Sequence, residues 1–486
     1  MKPHYQRIRK VPTHSGSTAI QTGYYKGKRF QLTKHIGSSK DAEKVSELVN
    51  IAKEYIRSHS PQMEIDFNPH PQSEEILFKR GITVTNSCLS EAYAYLEGVY
   101  NRLGFSKLGS DILKHFAMLR ILEPASKIRS IMLLQKYFNI TYKKTTVFRE
   151  LERLVSLKEE VQRIAMAYAK THLHFDFSLV FYDVTTLYFE THQEDDFRLN
   201  GFSKDHKAGQ PQILVGLVVN EIGFPIYYDI FRGNTFEGKT ILPVIIDMVQ
   251  RYHIEKFSIV ADAGMLSEGN LTEIEKRGIK YIVGARVGNL RFEEVQSIAG
   301  SLNKTDKKII RHGGVLYEYS QNRAKKDKAD NDKQVEKARY CLKHPATVFR
   351  RSKFLTTDGR KQFRLNEALI DKHRLLEGIK GYNTNITDVP NELLIERYKD
   401  LWKIEQSFRI AKSDLEARPI YHRKEISIKY HILIVFVALC MARVIEVEKA
   451  ESVNNVMDKL KDKWTITLTD EISGNSLKVI IDKKPH

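Results

Sequence analysis

Three carboxylates in this chain follow apolar runs or sit in a patterned helical segment. Asp183 ends the run Leu179-Val-Phe-Tyr182, Asp262 ends Ile259-Val-Ala261, and Glu405 lies within Tyr398–Lys412. Clustered carboxylates repel one another. A hard divalent cation removes that cost, and Mg²⁺ or Mn²⁺ prefers carboxylate oxygen. Two such ions about 3.5–4 Å apart can activate a nucleophile and stabilise a leaving phosphate-ester oxygen. The expectation is a site in which Asp183, Asp262 and Glu405 hold two Mg²⁺ (or Mn²⁺) ions. Tyr398, Glu405 and Lys412 are spaced seven residues apart. Two helical turns span about 7.2 residues, so the three share one helix face. Arg409 falls near it. Lys412 and Arg409 would bind phosphate oxygens, and Tyr398 could hydrogen-bond one. Taken alone, the segment reads more simply as a solvated helix with a Glu405–Arg409 pair one turn apart.

Other patterns compete. Gly233-Asn-Thr-Phe-Glu-Gly-Lys-Thr240 fits the phosphate-cradling pattern GxxxxGK[ST] in full. That reading would make the chain a nucleotide hydrolase, with Asp262 as its second acid. It conflicts with topology. The preceding strand, Phe224–Phe231, is amphipathic, carries Pro225, and is joined by the turn Glu221-Ile-Gly223 to the strand before it. An antiparallel hairpin strand does not feed a phosphate-loop crossover. Lys239 is then a DNA contact or a solvated lysine. Lys204, His206 and Lys207 form a basic loop suited to phosphate or to solvent. His172 and His174 lack a third metal ligand nearby and read as linker residues. Trp402 could stack on a base, although a core anchor for its helix is the simpler role.

These residues need elements to position them. Residues 1–40 alternate short segments rich in Thr, Tyr, Gly and Lys, predicting a small β unit, and 40–58 predicts an amphipathic helix. Pro and His near 60–72 suggest a linker. Apolar residues recur at helical spacing through 89–170. Strands are then predicted at 177–182, 185–190, 212–220 and 224–231, a helix at 239–252, a strand at 257–261, a helix at 268–276 and a strand at 281–286. Residues 288–379 break that rhythm and read as a β-rich insertion, in which the charged run Arg323–Lys337 is a solvated helix or a track for DNA backbone. A strand at 380–387 and long helices at about 390–416 and 425–448 follow. A hairpin, Trp464–Leu468 and Leu477–Ile481, closes the chain.

This order is that of an α/β, ribonuclease-H-like domain. Such a domain places one carboxylate on its first strand, one at the end of its fourth, and one on a later helix. The expected organisation is an N-terminal unit (1–80) and a helical region (81–172), both candidates for DNA binding. The catalytic core follows in two parts (173–287 and 380–448), split by the insertion (288–379), with a C-terminal tail (449–486). Composition agrees. The net charge of +18 favours a polyanionic partner. Cys88, Cys341 and Cys440 lie far apart, so neither a zinc site nor a disulfide framework is expected. The N-terminus has no signal-peptide pattern. The apolar run Ile432–Ala442 is short for a bilayer and predicts a buried helix rather than a membrane anchor.

The segment Tyr398-x6-Glu405-x6-Lys412 resembles the YREK signature of bacterial DDE transposases of insertion-sequence family four. Phe181-Tyr-Asp183-Val-Thr-Thr resembles the first Asp motif of that family, and Val260-Ala-Asp262-Ala-Gly-Met the second. Gly201–Lys207, Phe231-Arg-Gly-Asn234 with Glu237, and Glu123-Pro-Ala-Ser-Lys127 resemble further segments. The match spans about 175–290 and 380–445. The family's Arg falls on Leu401, so no guanidinium is present at that position. The resemblance implies hydrolysis at the inverted-repeat ends of an insertion sequence and 3′-OH attack on target DNA, by a dimer or larger assembly. It also implies double-stranded DNA (element ends and target) as partner and a cytoplasmic, nucleoid-associated setting. A structure-selective nuclease of the same fold, a non-catalytic DNA-binding relative and the nucleotide hydrolase remain alternatives.

Overall fold

The computed structural model describes residues 6–59, 82–202, 209–254, 257–265, 267–344, 352–357, 363–471 and 475–482. The chain divides into two compact units, Met1–Thr83 with Asp470–Asn475 and Val84–Thr469 with Ser476–His486. In the first, β1 (Arg7–Pro12), β2 (Thr18–Lys26) and β3 (Arg29–Ser39) form an antiparallel sheet with β2 in the centre. Helix α1 (Ala42–His59) packs on β2 and β3. The expected linker at 60–72 lies outside the described residues.

The second unit starts within β4 (Ile82–Cys88) and continues with five helices: α2 (Ser90–Arg102), α3 (Asp111–Leu122), α4 (Lys127–Phe138), α5 (Lys144–Arg153) and α6 (Lys158–His172). Then come β5 (Val180–Tyr188), β6 (Gln212–Asn220), β7 (Pro225–Arg232), α7 (Ile241–Tyr252), β8 (Ser258–Ala261), α8 (Glu268–Lys276) and β9 (Lys280–Ala285). The two strands expected at 177–182 and 185–190 are one strand, β5. Thr185 and Thr186 are compatible with a ladder, and Asp183 lies inside it.

The insertion contains α9 (Phe292–Leu302), β10 (Ile309–His312), β11 (Val315–Tyr319), α10 (Gln321–Lys343), β12 (Leu355–Thr357), β13 (Phe363–Leu365) and α11 (Glu367–Leu375). Its described residues are thus mainly helical rather than β-rich. The charged run lacks period-two alternation and forms most of α10. Strands β10 and β11 do not make a separate sheet. They extend the main one through β14 (Ile379–Thr384).

After β14 come α12 (Asn391–Lys399), α13 (Trp402–Arg409), α14 (Glu425–Lys449), α15 (Val453–Lys461), β15 (Lys463–Asp470) and β16 (Ser476–Asp482). The single long helix expected at 390–416 is broken at Asp400–Leu401 and ends in a π-turn, Ile410–Asp414. The sheet order is β10-β11-β14-β9-β8-β5-β6-β7. Strands β5, β6 and β7 are antiparallel, whereas β5, β8 and β9 run parallel. Every residue of β6 is buried, so this strand has both faces covered.

The core is continuous from Leu89 to Met457, so the helical region and the sheet share it. Gln162 Nε2 on α6 donates to the Tyr228 carbonyl on β7 at 2.6 Å, and the Tyr168 and Phe224 rings lie 5.5 Å apart. Helix α14 is long and apolar enough to cross a membrane, but 89% of its apolar window is packed inside the protein. Leu439 on α14 is buried, so Leu439→Ala removes core contacts without relief at the surface. The expected loss is about 2–5 kcal/mol of stability, read as a lower urea midpoint with an unchanged slope.

Candidate functional site

Alternation along β5 sets the direction of its side chains. Tyr182 points toward α7, where its hydroxyl donates to Thr240 Oγ1 at 2.8 Å. Its neighbour Asp183 therefore points to the opposite sheet face, against which α12 and α13 pack. In the parallel pairing of β5 with β8, Tyr182 lies opposite Ala261. Asp183 and Asp262 are the next positions on the two strands. Asp183 is partly buried in the ladder, and Asp262 is exposed just beyond the end of β8.

Helix α12 brings Tyr398 to this point. The tyrosine is buried, and its hydroxyl donates to Asp262 Oδ1 at 3.3 Å. Burial, followed by the Asp262 and Glu405 carboxylates, pushes its phenol above the ordinary range. Glu405 on α13 thus lies within electrostatic reach of Tyr398, with its side chain exposed. Among the described residues, no group of three His, Cys, Asp or Glu side chains is drawn together tightly enough to hold a metal ion. Register places Asp183 and Asp262 side by side, and Asp262 and Glu405 both act on the Tyr398 phenol. The donor set is all carboxylate oxygen at a solvent-reaching strand edge, which suits a hard divalent cation.

Lys412, in the π-turn, lines a small cavity with Thr185 and Leu217. Arg409 is exposed at the end of α13. Lys204, His206 and Lys207 lie outside the described residues. Leu401 is buried and takes the anchoring role expected of Trp402, whose indole is 54% exposed. The break at Asp400–Leu401 turns Trp402 outward. Arg397 faces Asp176, whose carboxyl it helps to lower after the Ser178 and backbone hydrogen bonds. It therefore does not stand in for the missing guanidinium. His172 stacks on Tyr168 with centroids 4.6 Å apart.

Several neighbours of the site escaped the sequence reading. The Lys380 ammonium on β14 lies 4.5 Å from the centroid of the Tyr398 ring and 5.5 Å from that of Tyr382. Burial and then Arg323 lower its pKa, while Asp262 and Glu318 oppose that shift. Tyr382 donates to Glu318 Oε2 at 3.1 Å, and Lys399 pairs with Glu318 Oε1 at 2.8 Å. Arg323, at the start of α10, also acts on Tyr382 and Tyr398. The insertion therefore delivers a cation to the rim of the site. Gly284 on β9 runs close beneath the Tyr398 hydroxyl. A Cβ there would lie 2.7 Å from Tyr398 Oη and 3.0 Å from Ala263 Cβ. Arg286 steadies the loop after Asp262 by donating from Nε to the Ala263 carbonyl at 3.2 Å. The only signal in the sequence was the position of Gly284 within a strand, which is consistent with close backbone approach.

The phosphate-loop pattern is resolved by packing. Strand β7 is antiparallel to β6 at the sheet edge. A Cβ on Gly233 would meet the Gln212 carbonyl oxygen at 2.0 Å and the Leu199 carbonyl oxygen at 2.2 Å, so this glycine serves chain packing. Thr240 is fully buried and bonded to Tyr182 and to the Glu237 carbonyl. Lys239 is exposed. Lys239→Ala is expected to leave strand cleavage within about twofold, because a solvated lysine contributes little, and added ATP changes nothing. An ATP requirement lost in the variant would restore the nucleotide-hydrolase reading.

A family profile described as the transposase DDE domain matches residues 174–441, more than half of the chain. The chain belongs to the DDE-domain DNA transposases. The matched span contains Asp183, Asp262 and Glu405. Solved structures similar to the transposase include the Mos1 transposase paired-end complex with left transposon end, at 13% identity, 48% of this chain, 66% of that chain and TM-score 0.16. They also include the Mos1 mariner paired-end complex with Mn (13%, 48%, 72%, 0.16) and a pre-cleavage Mos1 transpososome (13%, 49%, 67%, 0.15), in the same order of quantities. The transposase spans about two thirds of the length of these chains, and likeness at such scores adds nothing to the argument. No curated protein matches it significantly.

Proposed function

We propose that this transposase cuts at the inverted-repeat ends of an insertion sequence and joins the resulting 3′-OH ends to target DNA, on a ribonuclease-H-like catalytic core. The observation that carries the reading is the side-by-side placement of Asp183 and Asp262 on parallel strands, with the Tyr398 hydroxyl on Asp262. Asp183, Asp262 and Glu405 would hold two divalent ions, Mg²⁺ or Mn²⁺. When bound, the ions supply activation of the attacking oxygen and stabilisation of the leaving one. The protein's own groups do the positioning. Tyr398 orients Asp262, and Lys380 beneath its ring fixes the tyrosine and adds positive potential. Lys412 and Arg409, on the segment that carries Glu405, would meet phosphate oxygens. The exposed Trp402 indole offers a surface on which a base can stack.

The partner is double-stranded DNA, both element ends and target. The assembly is a homodimer or larger, and the setting is cytoplasmic, on the nucleoid. The test is strand transfer. A duplex carrying the terminal repeat that borders the gene, labelled at the 5′ end of the strand whose 3′-OH is exposed, is incubated with supercoiled plasmid and Mg²⁺. Covalent label on the plasmid is the expected product. Cleavage without any joining would favour a structure-selective nuclease of the same fold.

A further inference from the structure

We propose that the exposed face of α4 enters the major groove of duplex DNA and reads the element's ends. The proposal rests on the transposase reading and names the reading element within it. Helix α3, the turn Glu123–Ser126 and α4 form two helices joined by a short turn, the connectivity of units whose second helix enters a DNA groove. The two helices are built differently. Ten of the twelve residues of α3 are buried, making it a core helix. Helix α4 buries one stripe, Lys127, Ser130, Leu133, Leu134 and Tyr137. Its other face presents Ile128, Arg129, Met132, Gln135 and Lys136 to solvent.

Charge selects the occupant. Between Pro124 and Arg149 the chain has six basic residues, Lys127, Arg129, Lys136, Lys143, Lys144 and Arg149, and no acidic one. All except Lys127 are exposed. Among the described residues, Arg129 and Lys136 pair with no carboxylate. Arg149 pairs with Glu150 at 3.6 Å, and the cations of the α4 face itself, Arg129 and Lys136, fit a polyanion. Ile128 and Met132 are 50% and 59% exposed on the same face, where base edges offer thymine methyls. Twelve residues make a helix of about 18 Å, suited to a major groove about 12 Å wide.

The helix is also braced, as a reading element must be. The Ser126 hydroxyl caps it by accepting from the Arg129 N–H at 3.2 Å, and Arg120 donates to the Ala125 carbonyl at 3.2 Å, fixing the turn. Buried Lys127 lies 3.3 Å from His431 Nδ1 on α14, and His431 Nε2 lies 3.1 Å from the Ala417 carbonyl. Ala417 belongs to the segment leaving the π-turn that holds Lys412. Reading face and catalytic sheet therefore belong to one packed unit.

The experiment compares binding of two duplexes, one carrying the terminal repeat bordering the gene and one with that sequence shuffled, across a salt series. The double variant Arg129→Gln/Lys136→Gln is expected to weaken repeat binding by about tenfold or more and to flatten the log–log salt slope by about two. Met132→Gln should narrow the repeat-to-shuffled ratio by about tenfold. Both keep the wild-type melting temperature, so that the losses are not losses of fold. Wild-type binding by the double variant, in a protein that discriminates repeats and cleaves them, overturns the α4 assignment alone. So does a double variant whose only defect is loss of self-association, which would make the face a contact between copies. A wild-type protein with neither repeat preference nor metal-dependent cleavage overturns the transposase reading together with it.

Discussion

Asp183→Asn and Asp262→Asn are each expected to lower strand cleavage by about three orders of magnitude or more, while DNA binding and melting temperature stay near wild type. The loss is large because a metal-assisted displacement depends on charged oxygen ligands, and an amide supplies a weaker, neutral one. The fold is spared because neither carboxylate carries the core. Asp262 is exposed beyond the end of β8, and Asp183 keeps its backbone pairing to Leu217 whatever its side chain. Neutralising one of two adjacent acids also removes a repulsion. Glu405→Gln should fall in the same class, although Glu405 stands on a helix rather than a strand. A variant at Asp183 or Asp262 retaining more than about a tenth of wild-type cleavage would mean that the strand pair is structural.

Gly284→Ala is expected to lower kcat by about a hundredfold with little change in KM for DNA. The added methyl would press on Tyr398 Oη, on Ala263 Cβ and on the Ala263 backbone nitrogen, at 2.7, 3.0 and 3.2 Å. The tyrosine has little room to yield. Its ring meets Tyr382 edge-on at 4.9 Å and has Lys380 at 4.5 Å. The hydroxyl would leave Asp262, and a misplacement near 1 Å at a reacting centre costs on the order of 10² in rate. Tyr398→Phe removes the hydroxyl without the push and should cost less, about tenfold. The double variant Gly284→Ala/Tyr398→Phe loses the closest of the three contacts, leaves Ala263 to give by a few tenths of an ångström, and should lie near Tyr398→Phe alone. That non-additivity is what two groups sharing one contact produce. Full additivity of the two losses would place the effect of Gly284 elsewhere.

What the sequence disclosed depended on how local each signal was. Short apolar runs ending in an acid marked Asp183 and Asp262, and strand alternation plus a turn marked the β6–β7 hairpin that disposes of the phosphate-loop pattern. Glu405 needed the family resemblance, because its helix alone reads as a solvated one. Lys380, Glu318 and Lys399 carry no local signature, and Gly284 only that of a glycine within a strand. They meet Tyr398 or Tyr382 only after β9, β11 and β14 assemble into one sheet across a long insertion. The same nonlocality misled the β-rich reading of the insertion, since β10 and β11 found partners in the main sheet; its charged run became helix α10, as its pattern predicted. At Asp400–Leu401, helical spacing continued through a break that only packing reveals, and so Trp402 faces solvent while Leu401 is buried.

The most direct test of the site is anomalous diffraction from crystals of the transposase grown with Mn²⁺ and a duplex carrying the terminal repeat. Manganese peaks are expected at the strand ends, with Asp183 and Asp262 oxygens sharing an ion and Glu405 ligating beside them. Manganese bound elsewhere, with Asp183 and Asp262 both free of it, would contradict the assignment.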